Sequence, residues 1–306
     1  MDDKRIVGVD VGGTNIRIGL VDKNGALTNE RMFEARVIEG DDTSVKLLGY
    51  IETYISNLSD DVCAVSIGFP STLDKSRTTV VSTPNLRGFD NIAVKSLYEA
   101  RLSLPVILEK DACMLLAYDT FVNKVPDVGI LVGIYIGTGI GNSIMINGVP
   151  VVGRDGTAGE LGHIPVPNRT DLCSCGLIGC MENYAAGKGL ERICAEHFPG
   201  TFIKEIFTKH AESFKIKQFI RSVATAVVTE INILNPDYIV LGGGVLAMAD
   251  FPMDELLVCI RDMTRKPLPA GTLNIIVSTS DNPYNGVIGA GLYAAKAMNI
   301  GGNALL

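Results

Sequence analysis

No apolar run in the chain approaches the ~20 residues needed to span a bilayer; the longest, at 128–136 and 238–246, contain glycines. No basic stripe is present and the net charge is −7, which excludes broad electrostatic binding to nucleic acid, a mode that needs clustered Lys and Arg. No signal-peptide core or cleavage site precedes the first strand-like run, which begins at Arg5. A cytoplasmic protein with reduced thiols is therefore expected. Pro-, Ser- or Gln-rich tracts and long linkers are also missing, so disorder is excluded. The 306 residues, at roughly 100–200 per domain, suggest two closely coupled domains. Against these absences stand seven cysteines, an odd number, and 33 glycines, about 11% where about 7% is usual.

Residues 5–11 and 16–21 are β-branched and apolar on either side of Gly12-Gly13-Thr14-Asn15, and the second run ends in the turn Asp22-Lys23-Asn24-Gly25. This pattern predicts an opening hairpin. Helices at 43–58 and 92–102 alternate with strands at 63–68, 78–82 and 106–109, the signature of α/β architecture. A second strand pair at 129–136 and 142–146 repeats the first: at an offset of 125 residues, Val7, Gly8 and Gly12 meet Val132, Gly133 and Gly137. The repeat points to two related halves. Helices are expected at 185–196, 218–234 and 286–297, with a buried strand at 238–241.

Four clusters carry chemistry. In the first turn, Gly12, Gly13, Thr14 and Asn15 can bring backbone N–H groups to a phosphate, with Asp10 placed to hold Mg²⁺; a plain tight hairpin has the same residues. In the matching turn, Gly137-Thr138-Gly139-Ile140-Gly141 lacks the following helix and acidic residue of a dinucleotide fold, and it has no GK[ST]. Two such turns in equivalent hairpins suit a polyphosphate clamp. Gly242-Gly243-Gly244 ends a buried strand, where glycine permits either a flat ligand or a close crossing of elements.

The fourth cluster is His163 with Cys173, Cys175 and Cys180, four borderline ligands of Cys₃His type. A disulfide is the rival, but it would leave one thiol over in a reducing compartment. Four protein ligands would fill a zinc tetrahedron, making the metal structural. The other cysteines, Cys63, Cys113, Cys194 and Cys259, sit in apolar or helical runs as packed thiols. Among the carboxylates, Asp111 follows a strand and opens a helix, the place of an N-cap as well as of a reactive acid. Glu160 and Glu182 flank the cysteine segment.

Together these segments resemble the ROK family of sugar kinases and related repressors, within the actin-like/hexokinase superfamily. Asp10-Val11-Gly12-Gly13-Thr14 is similar to its first phosphate motif, 136–141 to the second and 241–244 to the adenosine motif. Glu160-Leu161-Gly162-His163 and the Cys-x-Cys-Gly-x-x-Gly-Cys-x-Glu run from Cys173 to Glu182 resemble its signature. The resemblance implies an α/β fold of two RNase H-like domains around a nucleotide/sugar cleft. The first would span 1–115 with a C-terminal helix at about 287–306, and the second 116–286 with a zinc loop at 163–182. It also implies ATP with Mg²⁺, a structural Zn²⁺, a homodimer, and transfer of the γ-phosphoryl group to a sugar hydroxyl, usually O6.

On the same resemblance Asp111 is the catalytic base, and Gly68, Asn85, Lys110, Glu160, His163 and Glu182 line the sugar pocket. His163 would serve metal through one ring nitrogen and sugar through the other. The family usually reads Glu-Asn-Asp at the catalytic aspartate; here the run is Glu109-Lys110-Asp111. A longer cationic donor thus replaces the amide that bonds the C3 and C4 hydroxyls. With Ser82-Thr83-Pro84-Asn85-Leu86 and Lys266-Pro267-Leu268-Pro269, this resembles the branch that phosphorylates D-allose. Glucose and N-acetylmannosamine are the competing substrates. A repressor would carry a DNA-binding domain ahead of the first phosphate motif, and only nine residues precede Asp10.

Overall fold

A computed structural model describes residues 4–83, 86–278 and 282–300. The chain divides into two compact units, one of Met1–Pro126, Val149–Ala158 and Ser280–Leu306, the other of Asp127–Gly148 and Gly159–Thr279.

In the first unit β1 (Arg5–Val11) and β2 (Asn15–Val21) form the expected hairpin, in antiparallel register from Ile6↔Val21 to Val11↔Ile16. With β3 (Leu27–Glu34), β4 (Val62–Phe69) and β7 (Val106–Lys110) they make a sheet of order β3-β2-β1-β4-β7, while β5 (Thr72–Leu73) pairs with β6 (Val80–Ser82). Alternation along β1 divides its side chains between two covered faces. Val7, Val9 and Val11 join Leu47 and Ile51 of α1 (Thr43–Ser56) and Val94 and Tyr98 of α2 (Val94–Leu102) in one apolar core. The buried Tyr98 hydroxyl donates to the Ser44 carbonyl at 2.7 Å.

The opposite face carries α3 (Asp111–Val122) and α9 (Asn285–Ala297). Here Gly8 is required by contact: a Cβ at this position would lie 2.2 Å from the Val287 carbonyl oxygen. A boundary near residue 115 would cut α3, whereas the observed unit keeps the helix whole, because Gly289 of α9 packs directly against the Met114 backbone.

The second unit repeats the plan. Its strands β8 (Ile130–Ile136), β9 (Ile140–Ile146), β11 (Tyr238–Gly242) and β12 (Ile275–Val277) join a short edge strand β10 (Val149–Pro150), which falls in the first unit's residue range, in a sheet of order β10-β9-β8-β11-β12. The hairpins match residue for residue, β1 with β8 and β2 with β9, and each is continued by a parallel strand, β4 or β11. The helices α4 (Glu182–Ala185), α5 (Gly187–His197), α6 (Ile206–His210), α7 (Phe214–Leu234) and α8 (Met253–Met263) share one apolar core with this sheet. Val132, Ile134 and Ile136 form one core with Phe219, Val223 and Val227 of α7.

The sequence reading omits β3, α6, α8 and β12, and also the short elements β5, β10 and α4. Only Leu27 and Phe33 of β3 are even half-buried, so a strand shaped by pairing with β2 carries no apolar alternation. Of the four packed thiols, Cys113 and Cys194 are buried while Cys63 and Cys259 are half-buried. Among the described residues no helix is long and apolar enough to cross a membrane.

Candidate active site and metal centre

In the first unit, the β1–β2 turn is closed by the Gly12 amide on the Asn15 carbonyl at 3.0 Å, and the Ala35 amide donates to the Thr14 carbonyl at 2.8 Å. A Cβ on Gly12 would lie 2.7 Å from the Asn15 carbonyl oxygen, so glycine is needed to close this turn. Gly13 and Thr14 remain exposed at its tip. Asp10 stands opposite Arg17 in the strand register, with Oδ2 3.2 Å from Nη1. Burial raises the Asp10 carboxyl above the usual carboxylate range, and Arg17 opposes that shift without cancelling it. A carboxylate incompletely compensated by its neighbour fits a Mg²⁺–phosphate partner, since Mg²⁺ takes one or two carboxylates together with phosphate oxygens. Gly286 at the start of α9 allows the close approach, as a Cβ there would lie 2.7 Å from the Asp10 carboxyl carbon. Arg17 and Gly286 are absent from the sequence-derived site, although opposite charges in facing strands are a readable cross-strand pair.

Asp111 is the first residue of α3, immediately after β7, and its Oδ1 accepts the Ala112 amide at 2.7 Å. Gly68, on the neighbouring β4, leaves room for this helix start: a Cβ would meet Met114 Cγ at 3.1 Å and Asp111 Cα at 3.5 Å. Lys110 is half-buried and its Nζ donates to the Ala158 carbonyl at 3.2 Å. Asn85 lies outside the described residues.

In the second unit, the Gly137 amide closes the β8–β9 turn on the Gly139 carbonyl at 2.9 Å. The first two amides of α5, at Gly187 and Lys188, donate to the carbonyls of Gly137 and Thr138 at 2.8 and 3.2 Å, bracing the turn from below. Gly187 is a further residue the sequence reading passes over. Gly141 lies in β9, beyond the turn itself. Of the third glycine run, Gly243 has φ +99° and lies against the Ile136 backbone, while Gly242 abuts Tyr135. Gly244 is exposed with open space around it. Close crossing therefore accounts for Gly243, and free surface for a ligand remains at Gly244.

The cysteine segment folds back on itself. The Cys173 amide donates to the Leu177 carbonyl at 2.7 Å and the Met181 amide to the Ile164 carbonyl at 3.0 Å. Asp171 anchors the loop, accepting from Arg192 Nη1 at 2.5 Å and from the Tyr184 hydroxyl. As a result one donor atom each from His163, Cys173, Cys175 and Cys180 lies within 4.8 Å of the others. Cys173 Sγ is 3.7 Å from His163 Nδ1, and Cys175 Sγ is 3.6 Å from Cys180 Sγ. A zinc tetrahedron with sulfur at about 2.3 Å has edges of roughly 3.8 Å, so the donor set fits zinc.

Burial pushes the Cys180 thiol up to about 12 and raises Cys173, whereas backbone and thiol donors to its sulfur lower Cys175. His163 turns its other nitrogen, Nε2, toward Glu160 Oε2 at 3.8 Å. Buried Glu182 connects the cluster to the glycine turn. Its Oε1 accepts from Cys173 Sγ at 3.1 Å, and its Oε2 lies 2.6 Å from where a Cβ on Gly139 would stand.

Two duplicated sheet-and-helix units, each with a glycine turn at the end of its first strand, define an actin-like α/β fold. A family model described as ROK family matches residues 6–297. The chain belongs to the ROK family. The glucokinase of Thermotoga maritima is 25% identical over 298 residues, covering 91% of this chain and 93% of that enzyme. The crystal structure of a ROK family glucokinase from Streptomyces griseus, in complex with glucose and AMPPNP, superposes with a TM-score of 0.77 at 24% identity, covering 94% of this chain and 98% of that one. A ROK family transcriptional regulator, a homologue of the E. coli MLC protein, superposes with a TM-score of 0.79 at 25% identity, covering 95% and 78%.

Proposed function

We propose that this chain is an ATP-dependent hexose kinase that transfers the γ-phosphoryl group of ATP to the 6-hydroxyl of D-allose, yielding allose 6-phosphate and ADP. The observation that carries the reading is Glu182. One carboxylate joins a phosphate-type glycine turn at Gly139 to the His163–cysteine cluster, so nucleotide-binding and sugar-binding residues are organised by the same side chain.

Phosphoryl transfer asks for positioning and charge neutralisation more than for covalent chemistry. Asp111 accepts the proton of the 6-hydroxyl as that oxygen attacks phosphorus in line and the bond from phosphorus to the β–γ bridging oxygen breaks. Gly12, Gly13, Thr14 and Asn15, and Gly137, Thr138, Gly139 and Gly141, build the two phosphate turns: the Gly12 and Gly137 amides close them, and the exposed tips, with the Thr14 and Thr138 hydroxyls, hold the phosphates. In the run Gly242-Gly243-Gly244, the first two glycines serve the close packing on Tyr135 and Ile136, and the open Gly244 end makes room for the adenosine. Asp10 holds Mg²⁺, which supplies neutralisation of phosphate charge when bound. Glu160, His163 and Glu182 bond sugar hydroxyls, alongside Gly68, Asn85, Lys110 and Asp111; an unmatched buried partner costs about 1–3 kcal/mol and so discriminates epimers. His163, Cys173, Cys175 and Cys180 hold a structural zinc that fixes the imidazole. A homodimer accords with the family resemblance.

Lys110 in the place of the usual amide supports allose, which differs from glucose at C3. The decisive assay is coupled ADP release with allose, glucose, mannose, fructose and N-acetylmannosamine. Turnover highest with allose supports the assignment, and equal or better turnover with glucose sinks it. Sugar binding without ADP release from any of them would instead make the chain a sugar-sensing regulator.

A further inference from the structure

Strand β7 is the edge of its sheet, yet it carries a carboxylate, Glu109, that is only 2% exposed. Every oxygen of this group is engaged. Oε1 accepts the Lys110 amide at 2.9 Å and lies 2.9 Å from Arg77 Nε in an ion pair, while Oε2 accepts the Tyr293 hydroxyl of α9 at 3.3 Å. Arg77 is itself fixed. Its Nη1 donates to the carbonyls of Gly156, Asp74 and Leu73 at 3.0, 3.2 and 3.4 Å. Burial raises the Tyr293 phenol far above its ordinary value, which keeps it a donor.

Stability does not explain such an arrangement, because a buried ion pair is often matched or exceeded by apolar residues of the same volume. What the pair supplies is direction. The Lys110 amide belongs to the peptide just ahead of the Lys110–Asp111 link, and at the end of an edge strand a side chain has to satisfy it.

We propose that Glu109 is a positioning residue for phosphoryl transfer: clamped by Arg77 and Tyr293, it holds the Lys110 amide and so sets the direction in which Asp111 presents its carboxylate. The inference rests on Asp111 being the base. It adds a requirement for that base to work, supplied by Glu109, Arg77 and Tyr293 acting through the backbone.

The test is a kinetic comparison of Glu109→Gln, Tyr293→Phe and Asp111→Asn with the parent, in zinc-loaded protein of matched melting temperature. Glu109→Gln keeps the reach of the side chain and removes the charge. Because a small misplacement of a reacting group can cost up to ~100-fold, kcat should fall about tenfold or more while KM for sugar and for ATP stays within about threefold. A kcat within about twofold of the parent overturns the proposal. Should Glu109→Gln not fold, Tyr293→Phe decides. It removes one clamp and leaves the ion pair; kcat about threefold lower at unchanged KM supports the proposal, and unchanged kcat overturns it. Asp111→Asn separates the two layers. If it turns over normally, the assignment of the base fails and the proposal with it; if it is inactive while Glu109→Gln is fully active, only the positioning role falls.

Discussion

Adjacent glycines at the end of β11 should respond to alanine in opposite ways. At Gly243 the backbone has φ +99°, and an added Cβ would sit 2.5 Å from both the nitrogen and the oxygen of Ile136 and 2.7 Å from its carbonyl carbon. These are backbone atoms of the central strand β8, which cannot rotate aside. Strained φ/ψ costs about 1–3 kcal/mol and overpacking a further 1–3. Gly243→Ala should therefore lose roughly 2–6 kcal/mol, a large share of the ~5–15 that holds a typical domain together. At about 2–4 °C per kcal/mol, the melting temperature should drop by roughly 5–20 °C.

Gly244 has no heavy atom within 4 Å of its would-be Cβ and no positive φ, so Gly244→Ala should leave the melting temperature within about 2 °C of the parent. If adenosine lies against this backbone, KM for ATP should rise at least about fivefold at constant stability. Differential scanning fluorimetry and ATP titrations of both variants are sufficient. A parent-like melting curve for Gly243→Ala would refute the crossing argument, and parent-like ATP kinetics for Gly244→Ala would remove the run from the nucleotide site.

Asp111→Asn should retain zinc and sugar binding by calorimetry and lose on the order of 100-fold or more in turnover. Metal analysis of protein never exposed to chelator should give about one zinc per chain; Cys175→Ser is the cleanest disruption, since Cys175 is exposed and its loss empties no packed space. That variant should contain less than half the zinc and melt on the order of 10 °C lower, and full zinc content would exclude Cys175 as a ligand. Glu230 on α7 is buried with Oε2 lacking a hydrogen bond, and burial pushes its carboxyl to about 7. The folded state then binds a proton that the unfolded chain has released, so stability falls as pH rises from the ordinary carboxylate range through about 7. Glu230→Gln should accordingly be more stable than the parent by roughly 1–3 kcal/mol at pH 8, with the gap closing toward pH 4.5, and a pH-independent difference in urea melts would contradict the burial argument.

Much of this protein is legible along the chain where one local pattern suffices. The two hairpins announce themselves because β-branched runs flank glycine turns, and the exact match of β1 with β8 and β2 with β9 makes the duplication visible as a constant offset. The cysteine spacing is equally readable, since a short loop must bring Cys173, Cys175 and Cys180 together. By contrast β3 is exposed and polar, and its strand character comes from hydrogen bonds to β2, which leave no periodic trace. Glu109 reads as one more residue of a strand. Only its three partners, at positions 77, 110 and 293, make it distinctive, and two of them are remote in sequence.

The amino-acid sequence by itself therefore determined the family, the doubled α/β plan and the inventory of reactive side chains, because these depend on residue type and short-range spacing. Tertiary structure alone decided which nitrogen of His163 faces the thiols, which of the three glycines in 242–244 is spent on a backbone crossing, and what holds the peptide ahead of Asp111. Those are matters of distance and direction between segments far apart along the chain, and they are settled by how strands and helices pack.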